Sequence, residues 1–229
     1  MTAAASATGT VVLLHGLART PRSMEPLARV LRGAGYGAVN IGYPSTRAPV
    51  ERLVDTVLAP RVAALAGAAG EPLHFVTHSM GGVLLRDLVR RHRPAGLGRA
   101  VMLAPPNRGS ELVDRLAWLA PFRWVNGPAG AQLGTAVDSL VNRLGPVDFE
   151  LGVIAGTRAL NPLYAALIPG ANDGKVAVER TRVEGMSDFL EVARSHTFLM
   201  RAPEVQRQVL AFLRDGRFDV DPVHAGAAR

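Results

Sequence analysis

The chain has 229 residues, with 26 Lys or Arg against 19 Asp or Glu, a formal charge of +7, 48% hydrophobic and 5% aromatic residues, and no cysteine. Disulfides and thiolate chemistry are therefore excluded, and no apolar run approaches the roughly 20 residues of a membrane-spanning helix. A soluble globular chain is expected, forming one domain over 1–229 with a core of Ala, Val and Leu that buries roughly 70% or more of the unfolded surface.

Lys175 is the only lysine. Arg86, Arg90, Arg91 and Arg93 cluster near the end of a predicted helix, where positive charge suits the helix dipole and a solvated face. Contact with an anionic membrane surface or an acidic ligand is the alternative use. No interleaving of basic and aromatic residues supports nucleic-acid binding. The leader MTAAASATG has neither a basic n-region nor a long apolar core. The cytoplasm is the default location, with a secreted or periplasmic one following if a signal segment has been removed.

In chain order, Thr10 to Leu14 is a continuous apolar run suited to a buried strand and ends at His15-Gly16-Leu17. A helix is predicted from about Met24 to Ala34, with Pro26 in its tolerant first turn and Gly35 or Gly37 as the stop. Ala38 to Ile41 is the next strand. Val50, Leu53, Val54, Val57, Leu58, Val62 and Leu65 mark one helix face, with a kink expected near Pro60.

Leu73 to Thr77 is a β-branched apolar run, and helical spacing resumes at Val83 to Val89, so Ser79 falls where a strand turns directly into a helix. Gly81 and Gly82 suit so tight a turn, having no Cβ to clash. Mechanically this is a nucleophile elbow; a glycine-rich turn with a capping serine is the plainer reading.

Ala100 to Ala104 is a further strand. From Pro105 to Asp148 the rhythm changes, with helices predicted around Ser110 to Leu119 and Leu133 to Leu144. Trp118, Phe122 and Trp124 sit in this stretch. They are candidates for an acyl pocket or a movable lid, or for gluing the insertion onto the sheet. Leu151 to Ala155 and Phe189 to Val192 resume strand character, Pro203 to Arg214 is a last amphipathic helix, and the tail from Asp219 is expected to fray. This alternation implies a mostly parallel sheet flanked by helices, an α/β fold with a small helical cap at 105–148. The working groups should gather at the carboxyl ends of the strands.

A serine nucleophile needs a base, and the base an orienting acid. Of the six histidines, His74 begins a strand, His92 ends a helix and His224 lies in the tail. His78 adjoins Ser79, but neighbouring side chains at an elbow are expected to point apart. His196 lies in the loop between the last strand and the last helix, at the same sheet edge as Ser79. No carboxylate occurs from Gly156 to Asn172, and the first is Asp173 in Asn172-Asp173-Gly174-Lys175-Val176, also an ordinary turn signal. Asp148 and Asp188 are the reserves.

Thr77-His78-Ser79-Met80-Gly81, in this setting, resembles the G-x-S-x-G elbow of the lipase and esterase branch of the α/β-hydrolase fold, with threonine in place of the first glycine. The resemblance extends over most of residues 10 to 215. It implies the chain order serine, acid, histidine, in which His196 fills the last place and Asp173 falls on the family's D-G-x-V segment. It also implies oxyanion donors at the backbone N–H groups of Leu17 and Met80. The function so implied is a serine carboxylester hydrolase, an esterase or lipase acting on a small-molecule acyl ester or lipid, with no metal and no organic cofactor. An acyltransferase, thioesterase or amidase would use the same acyl-enzyme. A noncatalytic binding protein on the same scaffold is the reading from another class.

Overall fold

The computed structural model describes residues 9–66 and 71–219. The expectations for the leader and for the tail beyond residue 219 lie outside them. Six strands form one sheet: β1 (Thr10–Leu14), β2 (Gly37–Ile41), β3 (Leu73–His78), β4 (Leu97–Leu103), β5 (Leu151–Gly156) and β6 (Asp188–Val192). Every pairing is parallel and the order is β2-β1-β3-β4-β5-β6. This is the mostly parallel α/β sheet expected, with each strand within a few residues of its predicted place.

The continuous apolar runs are explained by burial on both faces. In β1, Val11 and Leu13 join a core layer with Leu27 and Leu31 of α1 (Glu25–Gly33) and Val209 and Phe212 of α10 (Pro203–Asp215). Val12 and Leu14 face the other way. They meet Val50 and Leu53 of α2 (Val50–Leu53) and Val83, Leu84 and Leu88 of α4 (Met80–His92). Alternate residues of one strand thus serve two hydrophobic layers.

The irregularity expected near Pro60 takes the form of a π turn, Val54–Leu58, joining α2 to α3 (Ala59–Ala66). Pro60 has no N–H for the carbonyl of Thr56, so the ladder widens there without losing the buried stripe of Leu53, Val54, Leu58 and Val62.

Between β4 and β5 the helices differ from expectation. They are α5 (Glu111–Leu116), α6 (Ala120–Ala131) and α7 (Leu140–Arg143). α5 and α7 lie within the two predicted stretches, while α6, the longest, lies between them where no helix is predicted. Gly127 breaks α6 internally with φ 63°, and a Cβ there would stand 1.8 Å from the carbonyl oxygen of Thr46. The glycine turns the helix axis where it crosses another stretch of backbone. Two short helices, α8 (Pro162–Ala166) and α9 (Val178–Thr181), fill the stretch between β5 and β6.

The chain leaves β1 for the edge at β2, then returns across β1 to β3 and runs on through β4, β5 and β6. The direction of winding therefore reverses between β1 and β3. A crevice opens at such a point, beyond the carboxyl ends of the two strands. Leu14 is in register with Thr77, so the loop beginning at His15 lies beside the turn holding Ser79.

Candidate active site

Ser79 follows the last residue of β3 and precedes the first residue of α4. Its backbone has φ 54° and ψ −125°, a conformation that costs a non-glycine residue on the order of 1–3 kcal/mol. The surroundings hold it there. The Ser79 N–H donates to the Leu103 carbonyl of β4 at 2.8 Å, and its own carbonyl accepts from the Gly82 N–H at 2.9 Å. Positive φ recurs at Ala18 (52°) and Ala104 (46°), just beyond β1 and β4, so the strained non-glycine residues gather around one crevice.

Three glycines make the close approach possible. A Cβ on Gly81 would lie 2.6 Å from the Leu14 carbonyl oxygen. One on Gly82 would meet Pro105 and Met102 at about 3 Å, and one on Gly16 would sit 2.9 Å from Nδ1 of His78 and 3.1 Å from Cβ of Ser79. Thr77, standing where a glycine was expected, lies in β3 and is fully buried; the extended strand accommodates its β-branch.

The His196 Nε2 lies 2.9 Å from the Ser79 hydroxyl, and its Nδ1 lies 2.7 Å from Oδ2 of Asp173. A carboxylate can only accept, so Nδ1 carries the proton and Nε2 is left to accept from the serine. The other oxygen of Asp173 accepts the N–H groups of Lys175 and Val176, each at 2.9 Å. A further bond joins the His196 N–H to the Asp173 carbonyl at 3.2 Å. Both side chains are buried, His196 4% exposed and Asp173 2%. Gly156, ending β5, lets this pair sit close, since a Cβ there would lie 2.4 Å from the Arg194 carbonyl oxygen and 2.9 Å from Cβ of Asp173. The reserve acids are elsewhere: Asp148 pairs with Arg93 and Asp188 accepts backbone N–H groups.

The His78 ring makes no hydrogen bond to Ser79 among the described residues; it packs 4.8 Å from the His196 ring, and its Nε2–H donates to the His196 carbonyl at 2.9 Å. The orientation is set by a loop more than a hundred residues away, which local spacing does not reveal. On the other side of the crevice, the His15 ring stacks on Tyr43 at 4.1 Å, and the Tyr43 hydroxyl donates to the His15 carbonyl. The Ser45 hydroxyl accepts the Ala18 N–H. These bonds shape the loop in which the N–H of Leu17 has no acceptor among the described residues; the Met80 N–H at the head of α4 has none either.

A cavity of about 370 Å³ opens over Ser79 and His196. Leu17, Leu112, Val113, Leu116, Phe122 and Leu133 are among its apolar lining. Of the three aromatic residues singled out from the sequence, only Phe122 lines it. Trp118, in the turn after α5, and Trp124, in α6, face outward, 74% and 88% exposed. Ser110, just before α5, donates its hydroxyl to the Lys175 carbonyl at 2.6 Å, tying α5 to the loop of Asp173. Arg19, Lys175 and Tyr164 also line the cavity.

His15, His74 and His78 are buried, and burial holds each imidazole below its usual 6.5. His78 lies lowest, because His196, Arg19 and Lys175 add positive charge around it. Such groups bind protons more weakly in the native state than in the unfolded one. Their effect is absent well above 6.5, and stability falls as pH drops below that value. The guanidinium midpoint is therefore expected to hold near pH 7.5 and to fall towards pH 5.5, each histidine adding up to about 1.4 kcal/mol per pH unit. A midpoint unchanged over that interval contradicts the assignment.

No family model and no curated protein matches the chain. Solved structures do match in fold. The Bacillus licheniformis lipase BlEst2 in mature form superposes with a TM-score of 0.69 at 18% identity, over 91% of each chain. Phospholipase PlaB from Legionella pneumophila superposes with a TM-score of 0.60 at 20% identity, over 76% of this chain and 46% of its own. The Vlm2 thioesterase domain gives 0.54 at 20% identity, over 91% and 92% of the two chains. The chain has the α/β-hydrolase fold.

Proposed function

We propose that this α/β-hydrolase-fold chain is a serine carboxylester hydrolase, an esterase or lipase. The observation that carries the reading is the unbroken hydrogen-bonded path from the Ser79 hydroxyl through His196 to Asp173. A serine hydroxyl is a weak nucleophile until a base within reach takes its proton.

In this reading Ser79 attacks the ester carbonyl while Nε2 of His196 accepts the proton. The negative charge formed on the carbonyl oxygen is met by the backbone N–H groups of Leu17 and Met80, each such donor being worth on the order of 100- to 1,000-fold in rate. The imidazolium returns the proton to the departing alcohol, and Asp173 steadies the ring and its charge. Water, deprotonated by His196, then attacks the acyl-enzyme and releases the acid. The chain works as one domain in which residues 105–148 form a cap, and α5 and α6 bound the acyl pocket through Leu112, Leu116 and Phe122. Trp118 and Trp124, facing out from the same segment, are assigned to contact with a lipid surface rather than to the acyl chain.

The test is turnover of p-nitrophenyl esters of graded chain length. The rate is expected to rise from acetyl to medium chains that fill the apolar wall and to fall once the chain outgrows the cavity. A folded protein that hydrolyses none of them, with or without detergent, overturns the reading. Acyl transfer or thioester cleavage starts from the same acyl-enzyme, and one structural neighbour is described as a thioesterase domain. Added alcohols and matched thioesters in the same assay separate those activities.

A further inference from the structure

The lining of the cavity includes two cations. Arg19 stands two residues beyond Leu17 in the loop after β1, and Lys175 stands two residues beyond Asp173; both line the cavity with Ser79 and His196. No Asp or Glu lines it. Neither cation has an ion-pair partner among the described residues, because the nearby acids are engaged elsewhere. Asp173 is held by His196 and by two backbone N–H groups, Glu111 by Arg180 at 2.6 Å, and Asp114 by Thr135. Positive charge left uncompensated beside a reacting serine attracts an anion.

We propose, resting on the ester-hydrolase reading above, that the substrate is an ester whose alcohol part carries a carboxylate- or phosphate-type anion, held by Lys175 with Arg19. The alcohol side is specified by the apolar residues that line the same cavity. An anion on the acyl chain would be driven against Leu112, Val113, Leu116 and Phe122, where nothing compensates its lost hydration. On the alcohol side it meets the two cations while the acyl chain takes the apolar wall. Arg19 also donates to the Thr197 carbonyl at 3.3 Å, next to His196, so its loss would disturb the loop of the base. Lys175 is exposed at the rim and is the cleaner residue to change.

The experiment compares 3-butyryloxy-4-nitrobenzoate with 2-nitrophenyl butyrate, which share an acyl group and release nitrophenolates with and without a carboxylate. The quantity read is the ratio of their kcat/KM values within one enzyme, so the intrinsic reactivities cancel between enzymes. Lys175→Met is expected to lower the ratio about fivefold, and Lys175→Arg to retain most of it. The parent's ratio is also expected to fall between about 10 mM and 500 mM salt, and that of Lys175→Met to stay nearly flat. A ratio equal in parent and Lys175→Met overturns the inference while leaving the hydrolase reading intact, provided both esters turn over. If a folded parent hydrolyses neither ester, both fail. Fatty-acid release from phosphatidylglycerol and from diacylglycerol, which lacks the phosphate, in mixed micelles then separates the sources. Preference for the anionic lipid names a headgroup, and equal release with the soluble preference intact names a small soluble ester.

Discussion

Ser79→Ala is expected to lower kcat for ester hydrolysis by about 10⁴-fold or more, with the thermal transition held within a few degrees of the parent. The hydroxyl makes one polar contact, to Nε2 of His196, and the residue is half-buried, so little packing is lost. His196→Ala should cost a similar factor, and the double variant little more than either single one, because nucleophile and base act as a unit. Ser79→Gly distinguishes the elbow's chemistry from its strain. It removes the nucleophile equally, yet φ 54° costs glycine nothing, so the variant is expected to be more stable than Ser79→Ala by on the order of 1 kcal/mol. Equal stability of the two would mean the turn is not strained.

The second large effect falls on Asp173→Asn, expected to lower kcat by about 10⁴-fold with stability nearly kept. The amide oxygen can still accept from the N–H groups of Lys175 and Val176, so the turn survives. The amide nitrogen, however, then faces Nδ1 of His196. To accept from it, the imidazole must move its proton to Nε2, where it donates to the serine instead of accepting from it. Asp173→Ala gives up both bonds of the turn as well, and its melting temperature should fall below that of Asp173→Asn. If Asp173→Asn retains more than about a tenth of the parent's kcat, another group orients the base.

How much of this was legible in advance depends on how local each cause is. The strands could be placed because a strand covered on both faces must be apolar throughout, as in Val11 to Leu14. The elbow was visible because a strand, a serine and a glycine pair follow within a dozen residues. Asp173 and His196 were reached through the serine-acid-histidine order of a family resemblance, and the distances then brought them together. The missed features depend on distant backbone. Gly127 makes sense only when Thr46 lies against it. His78 is turned by a carbonyl at residue 196. Arg19 and Lys175 come to one cavity from loops far apart in sequence, although a single lysine in an arginine-rich chain is already an oddity of composition.

The most direct measurement is intact-protein mass after treatment with a fluorophosphonate, followed by peptide mapping, for the parent, Ser79→Ala and His196→Ala. The account predicts a single adduct in the parent carried by Ser79, none in Ser79→Ala, and labelling slowed at least about 100-fold in His196→Ala, where the base that activates the hydroxyl is gone. An adduct on another residue, or a folded parent that stays unmodified with detergent present, contradicts it.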